Sequence, residues 1–262
     1  MVVTSNVPAG SVRVSAGEDA AALADLLARA PGDVPAFLTS RSGLPGPRAN
    51  LPLADAFAAA APAALIRSLA DSPDEYLAFC ATVGLGRLAL AVPDRPDALT
   101  ALRRAAADDR WRVREGAARA LQLIGDADPA LMHTVLEDWS NEPDAWLARA
   151  AVAAICEPRL LTDEDATALA LRVCDRATAL LLGGAPLDGN PVRAREARRV
   201  LRQALGYGWS VAIAASPEAR LVAFRGLTAS DDPDARWIVR SNHTKARLRS
   251  VLAERNLWGT LG

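Results

Sequence analysis

An aromatic residue three places before an arginine recurs along this chain, as Trp111 and Arg114, Trp146 and Arg149, and Trp237 and Arg240. The clearest copy is "DDRWRVREGAARALQLIG", residues 108–125. There Val113, Ala117, Ala120, Leu121 and Ile124 fall at i, i+4, i+7, i+8 and i+11, one face of an α-helix. The same phase in the next copy holds Ala148, Val152, Ile155 and Cys156 and then loses its apolar character at Arg159. Thirty-five residues separate Tyr76 from Trp111 and Trp111 from Trp146, Val192 follows 46 later, and Trp237 another 45. A helix-turn-helix unit of that length cannot bury its apolar stripe alone, so its copies are expected to stack.

A partner helix is predicted before each anchor, in "PAALIRSLA", "RPDALTALRRAAA", "DPALMHTVLEDW", "DEDATALALRVCDRATALLL" and "SPEARLVAFRGLTAS". Ser72-Pro73, Glu142-Pro143, Asn190-Pro191 and Asp232-Pro233 read as helix starts before the anchors, and Asp128-Pro129 and Ser216-Pro217 as starts of partners. The expectation is an all-α, right-handed α-α superhelix of about five pairs. It forms one domain over residues 1–262, with repeats at 56–241 and irregular caps at 1–55 and 242–262. In the first cap a helix over 18–30 is broken by "SRSGLPGPRANLPLADAF", where Pro45, Gly46 and Pro47 exclude regular structure and Asn50 can cap a helix from Leu51. Arg48 in that turn is a candidate binding edge. The most flexible inter-helix loop is expected at "LLGGAPLDGNP", residues 181–191.

Composition supports helices. Apolar residues make up 51% and aromatics only 5%, with Ala and Leu dominant. Three cysteines without CxxC spacing argue against a disulfide framework or a zinc site. The chain has no GxGxxG, P-loop, HExxH or GxSxG pattern, and only His133 and His243, so neither a cofactor nor a metal is expected. The first residues lack a basic start and apolar core, and no apolar run approaches the ~18 residues of a membrane span, so a cytoplasmic protein is expected. The overall net charge of −1 hides an asymmetry. Residues 1–192 carry 17 basic and 25 acidic side chains, and residues 193–262 carry 13 and 6. Such a division suits an anionic partner at one end, or self-association through opposite ends.

"DDRWRVREGAARAL" resembles a HEAT-repeat motif, in which an Asp at the turn and a Val-Arg pair open the second helix. Val113-Arg114 and Val239-Arg240 match the pair directly, and Ala148-Arg149 and Ala194-Arg195 match it with a smaller apolar residue. The resemblance covers roughly residues 56–245 and implies fold more than function. It also implies that Arg114, Arg149, Arg195 and Arg240 tie neighbouring repeats together. An alternative is that some of them line the concave face and meet phosphate or carboxylate groups.

Tryptophan two residues before the Val-Arg pair resembles the helical-repeat DNA alkylation-repair glycosylases of the AlkD type. That resemblance implies a damaged nucleotide held against tryptophans, with a carboxylate stabilising the cationic sugar. The candidates are Trp111 with Glu115, the group Trp139, Asp144 and Trp146, and Trp237 with Asp234. This chain departs from the family in carrying Glu rather than Asp one turn after the Trp, and its body is acidic. Structural tryptophans are the competing reading.

A second candidate surface is "RAREARRVLRQ", where Arg195, Arg198, Arg199 and Arg202 form one helical stripe opposite Ala194, Ala197, Leu201, Ala204 and Leu205. Arg236, Arg240, Lys245, Arg247 and Arg249 could extend it. The leading function is therefore a non-enzymatic scaffold binding nucleic acid or an acidic protein on a concave, C-terminally basic surface. A glycosylase and a protein-assembly module are the alternatives.

Overall fold

A computed structural model of the chain describes residues 16–215 and 221–254, and among these every regular element is helical. The helices are α1 (Ala16–Arg29), α2 (Val34–Ser40), α3 (Leu51–Ala60), α4 (Ala63–Ala70), α5 (Glu75–Leu90), α6 (Arg95–Ala106) and α7 (Trp111–Ala127). They continue as α8 (Pro129–Asn141), α9 (Ala145–Ile155), α10 (Glu164–Leu182), α11 (Pro191–Ala215), α12 (Leu221–Thr228), α13 (Pro233–His243) and α14 (Ala246–Glu254).

Every expected partner helix is present and packs on its anchor helix: α4 on α5, α6 on α7, α8 on α9, α10 on α11 and α12 on α13. Anchor helices also pack on one another in chain order, α5 on α7, α7 on α9, α9 on α11 and α11 on α13. Small residues set how closely they approach. A Cβ on Gly86 of α5 would stand 2.6 Å from the backbone oxygen of Ala120 in α7, and one on Gly116 of α7 would meet Phe79 at 3.0 Å. The α5 segment from Tyr76 to Gly86 is wholly buried, which is why its sequence shows little amphipathic contrast.

Helix starts follow local chemistry. Asn50, Asp128 and Asp232 cap α3, α8 and α13 as expected, and the Asn190 side chain accepts from the amides of Val192 and Arg193. Two starts lie later than Ser72-Pro73 and Glu142-Pro143 predicted. Asp74 and Asp144 are the caps, each accepting from two amides of the first turn, while Ser72 accepts from the Asp74 amide just ahead of the helix. Ser216-Pro217 lies outside the described residues. In the broken segment Gly43 takes φ +76° and Leu44–Pro45 is cis. Asn50 also donates to Asp19 of α1 and to the Arg41 carbonyl, seating the N-terminal helices on α3, while Arg48 stays exposed.

Candidate functional site

The side-by-side packing of α7, α9 and α11 creates a cavity of about 580 Å³ lined by Trp111 and Arg114, by Arg149, Val152 and Ala153, and by Arg199, Val200, Gln203, Ala204 and Tyr207. Val152, Ala153, Val200 and Ala204 make an apolar lining. Around it are three guanidiniums and two exposed aromatic rings.

Arg114 stands in the first turn of α7 and only 4% of its surface is exposed. Its Nη1 donates to the carbonyls of Asp108 (2.6 Å) and Asp109 (2.9 Å), and its Nη2 reaches Glu196 Oε1 of α11 at 3.4 Å. Arg149, half-buried one helix further on, donates from Nη1 to the Arg114 carbonyl at 2.8 Å. Arg199 meets Glu196 through Nε (2.8 Å) and Nη2 (2.7 Å), and Gln203 Oε1 through Nη1 (3.1 Å). Burial lowers the pKa of Arg114 and of Arg149, and each is lowered further by a neighbouring guanidinium, Arg199 for Arg114 and Arg114 for Arg149. Arginine nonetheless stays protonated, so the cavity concentrates positive charge. Glu196 is held below the usual carboxylate range, first by its bond to Arg199.

Trp111 and Tyr207 are 50% and 39% exposed, unusual for aromatic rings of this size. Each is backed by a cation. The Arg112 guanidinium lies 4.2 Å from the Trp111 ring centroid, and that of Arg247 lies 4.9 Å from Tyr207. Arg112 is itself buried and donates to the Gly46 carbonyl at 3.2 Å, so the Trp111 ring rests on an anchored support. Chain with charge below and aromatic faces at the rim can bind an anion that carries a planar group.

The other sequence candidates are placed differently. Trp139 is in the core, and Trp146 is buried with Nε1 donating to Asp188 at 3.1 Å. The Trp146 ring is flanked by Arg114 at 5.1 Å and Arg193 at 5.0 Å. Asp144 is occupied as the α9 cap. Glu115 is partly buried one turn after Trp111, where its charge acts on Arg149. Trp237 is half-buried beneath Arg202, whose guanidinium lies 4.7 Å from its ring.

The basic stripe on α11 is divided. Arg198 and Arg202 pair with Asp234 at 2.6 and 2.8 Å, a carboxylate with the sequence's Trp237 group that instead serves as a buried counterion. Arg193 is bound to Asp188, Asp109 and the Ala107 carbonyl. Only Arg199 of the stripe lines the cavity. Arg195 and Arg240 are exposed, and Lys245 is half-buried between α13 and α14. Sequence reasoning missed Tyr207, Gln203 and Glu196. The available signal for Tyr207 was its place between Gly206 and Gly208, an aromatic in a helix turn that packs closely on its other side.

Among the described residues, no group of three His, Cys, Asp or Glu could hold a metal ion, and no helix is long and apolar enough to cross a membrane. Cys80, Cys156 and Cys174 are buried free thiols. No family model, curated protein or solved structure matches the chain.

Proposed function

We propose that this chain is a non-enzymatic binding module, a right-handed superhelix of HEAT-like pairs whose second-helix surface receives a nucleic acid strand. The observation that carries this reading is the convergence of Arg114, Arg149 and Arg199 on one cavity whose rim holds the exposed rings of Trp111 and Tyr207. Guanidiniums match phosphate oxygens, and aromatic faces accept bases of any sequence. An acidic protein surface would use the charge but leave the aromatic rim without a role. Chain-order packing of anchor helices supports the superhelix.

The test is fluorescence anisotropy of a labelled single strand at increasing salt. Affinity should fall with a log–log slope of about −0.7 per phosphate engaged. Arg149→Gln combined with Arg199→Gln should remove that binding while the helical circular dichroism and melting temperature persist. Unchanged binding by the double variant would overturn the reading.

One observation favours a second reading, base excision from alkylated DNA. Trp111 is exposed at the cavity rim and Glu115 follows it by one turn. Release of free base from an alkylated duplex, abolished by Glu115→Gln, would support it, and release no faster than background would end it.

A further inference from the structure

The cavity arginines differ in how well their charges are matched. Arg199 takes both oxygens of Glu196. Arg114 reaches one of those oxygens only at 3.4 Å and otherwise donates to backbone carbonyls. Arg149 has the Arg114 carbonyl as its hydrogen-bond acceptor, with Glu115 acting on it through space. Glu196 is thus the carboxylate hydrogen-bonded to cavity arginines, and its Oε1 lies between Arg114 and Arg199. An incoming anion would compete for that position.

We infer that the cavity reads the terminal phosphate of a nucleic acid strand, a phosphomonoester, rather than the diesters along it. This rests on the nucleic-acid reading above and narrows it. A phosphomonoester presents three terminal oxygens, which can engage three guanidiniums, while an internal diester has two free oxygens. A terminal base has one face free of stacking, so it can lie against Trp111 or Tyr207 without breaking the strand's own stack. The cavity of about 580 Å³ falls within the range that holds small-molecule groups, adequate for one end nucleotide. Glu196 acts as the resident counterion: it holds Arg199 in place when the cavity is empty and swings aside for the phosphate.

The test compares labelled deoxyadenylate strands alike except for a 5′-phosphate, a 3′-phosphate or hydroxyl ends, together with adenosine monophosphate and a phosphotyrosyl peptide. A phosphorylated end is expected to bind about tenfold tighter than the hydroxyl strand. Arg199→Gln, at an exposed position that leaves the fold intact, should erase that preference. Glu196→Gln should strengthen binding of the phosphorylated strand, and weaker binding would overturn its counterion role. Equal affinity for phosphorylated and hydroxyl strands overturns the end-reading inference and leaves strand binding standing. Failure of every strand to bind overturns both. Adenosine monophosphate binding as tightly as the phosphorylated strand keeps the phosphomonoester site but overturns the strand end as its source. Tighter binding of the peptide overturns the nucleic-acid class.

Discussion

Arg149 donates from Nη1 to the backbone carbonyl of Arg114 at 2.8 Å. The backbone of one cavity arginine therefore positions the side chain of the other, and two like charges are held close, with Glu196 offsetting part of the charge of Arg114 and Glu115 part of that of Arg149. Such an arrangement costs stability unless something offsets the repulsion, and a bound anion would do so.

Replacing Arg149 with methionine keeps much of the aliphatic stem and removes the charge. The lost hydrogen bond costs about 1 kcal/mol, and relief of repulsion from Arg114 offsets part of it. Thermal melting should move little, while strand affinity by anisotropy drops at least tenfold. A large fall in melting temperature with affinity preserved would contradict the assignment.

Glu196→Gln leaves Arg199 and Arg114 without their carboxylate. Titrations against a phosphorylated strand should show several-fold tighter binding and a steeper salt dependence, because more of the cationic charge is free to displace counterions from the strand.

Trp111→Ala removes an exposed ring whose support comes from Arg112 rather than from the core. Base stacking of this kind contributes about 1–3 kcal/mol. Binding should weaken accordingly at a near-constant melting temperature, whereas Trp139→Ala, in the core, should lower the melting temperature first.

His243 sets a pH dependence of stability. Burial lowers its pKa in the fold, so the unfolded chain binds the proton more readily. Its contribution is complete above the unfolded value near 6.5 and is lost as pH falls through the depressed folded value. Melting temperature should therefore decline as pH falls below about 6.5, and His243→Leu should flatten the decline. An identical pH profile for the variant would rule this out.

Two glycines should respond oppositely to alanine. On helix propensity alone each change gains up to about 1 kcal/mol. At Gly86 the new Cβ would stand 2.6 Å from the Ala120 backbone oxygen, so overpacking of about 1–3 kcal/mol outweighs that gain and the melting temperature falls. Among the described residues nothing lies within 4 Å of a Cβ on Gly226 of α12, so its alanine variant should melt higher.

The helix pairs were legible because both signals behind them are local: the period of the apolar face and the Asx residues that cap it. At α5 and α9 the sequence offers two starts two residues apart, a dipeptide with proline and then an Asp, and the later one, Asp74 or Asp144, is the cap. The cavity was legible in part. The repeat spacing and the arginine stripe point to Trp111, Arg114, Arg149 and Arg199, which line it, and equally to Trp139 and Trp146, which neighbours cover. Helical phase specifies which residues share a face but not what the adjoining helix places over it. The pairing of Arg198 and Arg202 with Asp234 depends on how α13 lies on α11, a relationship no local pattern contains.

The enclosure of α5 sets a rule for change in this architecture. Removing α5 would strip cover from α3, α4, α6 and α7 together, and removing α11 would do the same to α9, α10, α13 and α14. Neither helix can be lost by itself, and any change in the number of units between α7 and α11 would also dismantle the cavity they enclose.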